Sequence, residues 1–383
     1  MARLDKLPPY LFTAIDEAKR AVLASGRDVV DLGIGDPDRP TPAVLIDAMT
    51  EALRRPANHQ YPSNQGSSSF RRTVAAFMKA RHGVVVDPDT QVLALVGSKE
   101  GIAHLPLALL EEGDHVLGPD LGYPVYSSSV LLAGGEYDSY GLTAEGGFLP
   151  DAGEVGGLIG DRTRLLILNS PHNPTGSVAS ASDLEALVSM ARDRDCVVSN
   201  DAAYIEVPVG DHRPASLLAA CDATRDRVIE FHSLSKTFNM TGWRIGFAVG
   251  HPDVIASLDR VKQNVDSGAF TAVQDTAEVA LGDRFEELVG EVTGVYDARR
   301  AEIVAALQEA GIEVYPSAGA FYVWARVPGG VGSLEFCSRV LDEHAMVVTP
   351  GLGFGSGGEG WFRISLTASD ERITEGARRL RRL

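Results

Sequence analysis

Through the middle of the chain, short apolar runs alternate with stretches of helical spacing. Val92-Leu93-Ala94-Leu95-Val96, Leu165-Leu166-Ile167-Leu168, Cys196-Val197-Val198-Ser199 and Val228-Ile229-Glu230-Phe231 are brief and rich in β-formers. Such runs suit strands covered on both faces, because neither face alternates with polar residues. Between two of them Leu184, Leu187, Val188 and Ala191 recur at helical spacing, and Ser182 with Glu185 predicts a capping box at that helix's start. Strand, crossover helix and strand in that order predict an α/β fold with a mostly parallel, doubly wound sheet.

The chain ends differ in texture. Residues 1–45 contain an arm with Pro8-Pro9, a helical stretch and the Gly/Pro-rich DLGIGDPDRPTP, which reads as a connection rather than a core strand. From about residue 285 the pattern gives a helix through Ile303, Leu307 and Ala310 with Gly311 as its stop, then strands around 320–327 and 362–366. The expected division is an N-terminal arm and part of a smaller α+β domain in 1–45, a large domain in 46–284, and the rest of the smaller domain in 285–383. No internal repeat or low-complexity tract supports a solenoid or propeller.

Composition narrows the partners. A length of 383 residues, 44% hydrophobic and 23% charged content fit a globular chain able to bury a sizeable core. The formal charge of −17, without a basic stripe, argues against nucleic acid or an anionic membrane as partner. Cys196, Cys221 and Cys337 are odd in number and far apart, as expected of free thiols in a reducing compartment, so a cytoplasmic location is expected. The N-terminal residues lack a signal-peptide layout, and no apolar run reaches membrane-spanning length.

Each predicted strand runs directly into a polar cluster: Gly97-Ser98-Lys99, NSPHNPTG (169–176), NDAAY (200–204) and HSLSK (232–236). In an open parallel sheet ligands bind beyond the carboxyl ends of the strands, so four clusters point to one site. Ser98 and Lys99 open a helical pattern whose free N–H groups suit an anion, with Ser233, Ser235 and Arg244 as further donors. Taken alone, Ser98-Lys99 equally fits an ordinary helix cap, and Asn173-Pro174-Thr175-Gly176 a plain turn. Asp201 at the inner end of a buried strand calls for a cationic partner, or belongs to a structural ion pair or turn. Tyr204 and Asn173 offer a phenol and an amide to a ligand oxygen. Lys236, in a partly dry pocket beside Arg244, suits a Schiff base or a general base. A phosphate cradle, a carboxylate for a ring nitrogen and such a lysine together describe pyridoxal 5′-phosphate.

SLSKTFNMTGWRIG (233–246) resembles the lysine motif of the class I/II aminotransferases, pyridoxal-phosphate enzymes of fold type I, and NSPHNPTG and NDAAY resemble the two motifs preceding it. Gly33, Gly35, Asp36 and Pro37, then YPSNQG (61–66), GYPVY (122–126) and WFRISL (361–366) also fall at family positions, over essentially the whole chain. The resemblance implies Lys236 as Schiff-base lysine and proton shuttle, and Asp201 against the pyridine nitrogen. It implies Asn173 and Tyr204 at the ring hydroxyl and Tyr123 stacked on the ring. Ser98, Lys99 by its backbone, Ser233, Ser235 and Arg244 would hold the phosphate, with Tyr61 arriving from the second subunit of a homodimer. Gly35, Asn173 and Arg363 would face the substrate, Arg363 gripping its α-carboxylate.

Donor and acceptor would be an amino acid and a 2-oxo acid, with glutamate and 2-oxoglutarate as the returning couple. Within the family, GSKEGIAHLPLALL, NVDSGAF, TPGLGFGSGGEGWFRISLT and LPPYLFTAIDEAK look closest to the LL-diaminopimelate aminotransferase branch, which serves lysine biosynthesis. Aspartate, alanine or aromatic donors, and a C–S β-lyase reaction on the same cofactor, remain compatible with these residues. The segment Asn264 to Phe270 is a candidate wall for the distal substrate group, or a turn between helices. A nicotinamide reading fails because DLGIGDPDRP lacks the third glycine of the dinucleotide motif, and no HExxH or CxxC suggests a metal.

Overall fold

The computed structural model describes residue 7, residues 11–192 and residues 194–383; the expected Pro8-Pro9 arm lies outside them. Among the described residues the largest sheet has seven strands, ordered Val92–Leu95, Gly246–Gly250, Val228–Ser233, Val197–Asp201, Thr163–Asn169, His115–Pro119 and Glu136–Tyr140. Five of these, from Val228–Ser233 to Glu136–Tyr140, run parallel, and Gly246–Gly250 is antiparallel to both of its neighbours. The expected doubly wound, mostly parallel sheet is therefore present.

Alternate residues of each buried strand feed two different cores. Leu166, Leu168 and Val198 pack on one face, and Leu165, Ile167 and Val197 on the other. Helices cover both faces, Ser68–His82 and Ala181–Ala191 on the first, Ser98–Leu109 and Pro252–Val265 on the second. Each such aliphatic side chain removed from water contributes about 1.5–3 kcal/mol, which is why these runs tolerate no polar face.

Several boundaries differ from the pattern. The strands beginning at Val197 and Val228 continue to Asp201 and Ser233, two residues past their apolar ends. Asn200 and Asp201 stay in the ladder because both neighbouring strands still pair with them, and apolarity cannot register that pairing. The crossover helix begins at Ala181, and its capping box is Ser180 with Asp183, not Ser182 with Glu185. Ser180 Oγ accepts from Asp183 N at 3.2 Å and Ser180 N donates to Asp183 Oδ2 at 2.9 Å.

A further core joins the two chain ends. Val30 and Leu32 pack with Ile303, Leu307, Phe321, Phe362 and Ile364, and Val30–Asp31 pairs in parallel with Met346–Val347. Thr349–Pro350, Trp361–Ser365 and Tyr322–Arg326 form a three-stranded antiparallel sheet beside it. Helix Phe285–Thr293, which a boundary at 285 would assign to this unit, instead sets Phe285, Leu288 and Val289 into the first core. No helix among the described residues is long and apolar enough to cross a membrane. All three cysteines are free, Cys196 and Cys337 buried and Cys221 half-buried.

Candidate active site

The register of the sheet assembles the site. Asn169 pairs with Asp201, Asp201 with Phe231, and Ser233 with Gly246, so the last residues of neighbouring strands lie side by side. The segment after Asp31 crosses above that edge and is pinned there. Asp38 accepts from Arg299 Nη1 at 2.7 Å, while Thr367 Oγ1 donates to the carbonyl of Ile34 at 2.8 Å.

A cavity of about 470 Å³ opens at this edge. Its lining includes Gly35, Ser98, Lys99, Tyr123, Asn173, Asp201, Tyr204, Ser233, Ser235, Lys236, Arg244 and Arg363. Tyr61 is not among the lining residues and is 90% exposed. Asn264 to Phe270 are not among the lining residues either.

Lys236 sits on the short helix Leu234–Thr237, which begins as the Val228–Ser233 strand ends. Ser233 Oγ caps it by accepting from Ser235 N at 3.2 Å. The Lys236 ammonium donates to the Gly35 carbonyl at 2.8 Å. Burial pushes its pKa down to about 8; Arg363 and Arg244 push the same way and Asp36 opposes. Asp201 accepts from the Tyr126 hydroxyl at 2.8 Å and from Ala203 N at 3.4 Å. Burial nevertheless raises its carboxyl to about 6, so two hydrogen bonds do not offset the loss of water.

At the other wall, the Ser98–Leu109 helix points its N-terminus into the cavity after Gly97, whose φ is +78°. A Cβ on Gly97 would lie 2.3 Å from Arg244 Nη2, so the absent side chain makes room for the guanidinium. Arg244 itself has φ +55° and donates to the Thr241 carbonyl at 2.7 Å. Backbone donors at a helix start beside an arginine form a cradle for an anion.

Arg363 lies on the Trp361–Ser365 strand, 4% exposed. It donates to Asn173 Oδ1 at 2.8 Å and to the Gly33 carbonyl at 2.7 Å, with Tyr322 and Phe354 rings 4.1 and 4.7 Å from its guanidinium carbon. Among the described residues its Nε has no acceptor. The Tyr204 and Tyr322 hydroxyls share a hydrogen bond at 2.8 Å. A Cβ on Gly35 would fall 2.2 Å from the Tyr322 hydroxyl, so this wall is closed to any side chain there. Glu100, His104 and Asp266 bring ligand-type atoms close together beside the cradle, but buried Lys262 Nζ already bonds Glu100 Oε2 and Asp266 Oδ2, each at 3.0 Å.

Sequence reasoning missed Tyr126, Tyr322 and Phe354. Tyr126 stands within the quoted GYPVY, where a tyrosine three residues from Tyr123 was a usable sign. Phe354 likewise stands within TPGLGFGSGGEGWFRISLT, on the turn after Pro350, whereas Tyr322 carried no sign, since it reaches the site through the antiparallel sheet.

The fold and this constellation fit an amino-group-transferring enzyme. Residues 27–380 match the family Aminotransferase class I and II, and the chain belongs to that family. It is 48% identical over 382 residues to an LL-diaminopimelate aminotransferase of Nitratidesulfovibrio vulgaris (strain DP4), covering 100% of this chain and 98% of that one. It is 46% identical over 381 residues to an LL-diaminopimelate aminotransferase of Aquifex aeolicus, again covering 100% and 98%. A solved Thermus thermophilus aspartate aminotransferase mutant superposes with a TM-score of 0.93 at 28% identity, over 100% of this chain and 98% of that one.

Proposed function

We propose that this aminotransferase binds pyridoxal 5′-phosphate in the described cavity and moves the amino group of LL-diaminopimelate to 2-oxoglutarate, in both cases reversibly. The observation that carries the cofactor reading is the presence in one cavity of half-buried Lys236 and buried Asp201, perturbed in opposite directions, with an anion cradle. The substrate reading rests on the full-length relatives at 46–48% identity.

The residues fit the group. Among the described residues no cation pairs with Asp201, and a ring nitrogen carrying a proton would supply one. Helix N–H groups at Ser98 and Lys99, with Ser233, Ser235 and Arg244, receive the phosphate, and Asn173 and Tyr204 the ring hydroxyl. When bound, the cofactor supplies an electron-withdrawing ring that stabilises negative charge at the substrate Cα. Asp201 keeps the proton on the ring nitrogen. Arg363 takes the α-carboxylate in exchange for its present bonds to Asn173 and Gly33, its Nε, without an acceptor among the described residues, adding a donor. Lys236 Nζ, near neutrality in part uncharged, takes the proton from Cα and returns one.

A homodimer belongs to this reading. Tyr61, Val265 and Phe270 are 90%, 57% and 40% exposed, and a Cβ on Gly268 would lie 2.7 Å from the Ser63 carbonyl oxygen, so the turn before Phe270 lies against the segment after Tyr61. Exposed apolar side chains on these two neighbouring segments support a second copy, with Tyr61 reaching the partner's phosphate. Sedimentation of the purified protein tests it; a monomer at micromolar concentration removes it.

The test of function is a donor panel against 2-oxoglutarate, comparing LL-diaminopimelate, aspartate, alanine and phenylalanine by kcat/KM. LL-diaminopimelate should lead. A strong preference for aspartate removes the substrate and leaves the family. Lys236→Ala should abolish turnover, and normal turnover in that variant removes the mechanism.

A further inference from the structure

We propose that Asp16, on the N-terminal helix Leu11–Ala24, determines specificity by receiving the distal ammonium group of a diamino-dicarboxylate donor at the mouth of the cavity. The inference rests on the proposed substrate and deepens it.

Charge balance carries the argument. The α-end of any amino-acid donor is served by Lys236 and Arg363, and the cofactor's phosphate by Arg244. A donor with a second ammonium brings another cation into a cavity already lined by Lys99, Lys236, Arg244 and Arg363. An unpaired cation there is strongly disfavoured, so it needs a carboxylate. Among the described residues, the carboxylates in the lining are Asp201 and Asp16. Asp201 is buried at the floor and held by Tyr126. Asp16 is exposed, and no cation pairs with its carboxylate among the described residues; Arg20 Nε bonds only its backbone carbonyl.

The helix is fixed where this role requires it. Lys19 Nζ bonds Asp31 Oδ2 at 2.5 Å, and Asp31 Oδ1 accepts from Gly33 N at 2.9 Å. Residues three apart share a helix face, so the contact that docks Lys19 also turns Asp16 toward the segment Gly33, Ile34 and Gly35. That segment lines the cavity, and Ile34, 51% exposed, offers an apolar surface for the methylene chain between the donor's two ends.

The probe pair is LL-diaminopimelate and L-2-aminoheptanedioate, which keeps the carbon chain and both carboxylates but lacks the distal amine. Asp16→Asn should lower the ratio of their kcat/KM values about ten- to a hundredfold, the usual worth of a charged hydrogen bond, and Asp16→Glu should recover most of it. Calorimetric binding of LL-diaminopimelate to Lys236→Ala protein, with and without Asp16→Asn, reads the same loss without turnover. An unchanged ratio in Asp16→Asn overturns the inference, as does an equal fall for both donors. If the unmodified enzyme uses other donors but not LL-diaminopimelate, the substrate reading itself fails, an outcome seen before any variant is made.

Discussion

Glu230→Gln should destabilise the cofactor-free protein by about 3 kcal/mol at neutral pH, through a network lying beneath the site rather than in it. Glu230 is fully buried in the strand leading to Lys236. Its Oε1 accepts from Ser216 Oγ at 2.6 Å and His232 Nε2 at 2.9 Å, and its Oε2 from Leu217 N at 2.6 Å and Asn200 Nδ2 at 3.0 Å. Burial works to raise its pKa, but the His232 bond and charge, with Ser216 and Asn200, bring it from 4.5 down to about 2. Holding the carboxyl at about 2 rather than 4.5 corresponds to about 3 kcal/mol. Counting bonds gives the same scale: the amide oxygen still accepts from Leu217 N and Asn200 Nδ2, its NH2 forces Ser216 Oγ and His232 Nε2 to accept, and each charge-assisted bond made neutral costs roughly 0.5–1 kcal/mol.

The sign follows from a folded pKa below the unfolded one. The contribution is complete above about pH 4.5 and is lost as pH falls through about 2. Urea unfolding of parent and variant should therefore differ most at pH ~7, the gap shrinking by about half near pH ~3. Asn200 also bonds the Ser170 backbone N at 2.9 Å, so the variant should loosen the turn carrying Asn173 and lower kcat/KM. A gap independent of pH, or a variant as stable as the parent, would refute an ionised Glu230 at the centre of this network.

Three other outcomes follow from the geometry. Gly97→Ala sets a Cβ 2.3 Å from Arg244 Nη2 at a φ of +78°, so pyridoxal phosphate affinity measured by equilibrium dialysis should fall at least ~10-fold. Arg363→Lys keeps the charge but loses the planar fork, and kcat/KM should fall ~100-fold across all donors in steady-state assays. Because burial holds Lys236 down to about 8 and only its uncharged amine is nucleophilic, covalent capture of pyridoxal phosphate by the cofactor-free protein, followed by absorbance, should accelerate up to ~10-fold per pH unit below that value and level off above it.

Much of the fold was legible because a strand buried on both faces must be apolar throughout, and Leu165–Leu168 meets that condition without exception. The same rule blurs at strand ends. Asn200, Asp201, His232 and Ser233 are polar yet remain in the ladder, since Asn200 and Glu230 satisfy each other and His232 stacks 4.7 Å from Phe247. The residues that line the large sheet's edge announced themselves as polar clusters after apolar runs. Those contributed from elsewhere did not, because the closeness of Tyr322 to Tyr204 is created by a strand pairing more than a hundred residues away in the chain.

This division between legible and hidden residues has a chemical cause. Forming and breaking bonds at Cα requires a lysine, a carboxylate and an anion cradle whose types are fixed by the reaction, so their spacing along the chain can be read directly. Recognising the far end of a donor needs only a complementary charge within reach, and any element passing over the mouth can provide it. Asp16 stands in an unremarkable helical stretch beside Glu17 and Lys19, and nothing in that pattern separates it from an ordinary solvated face. Only the fold, by tying Lys19 to Asp31 and thereby laying the helix across the cavity, gives that carboxylate a neighbour to select.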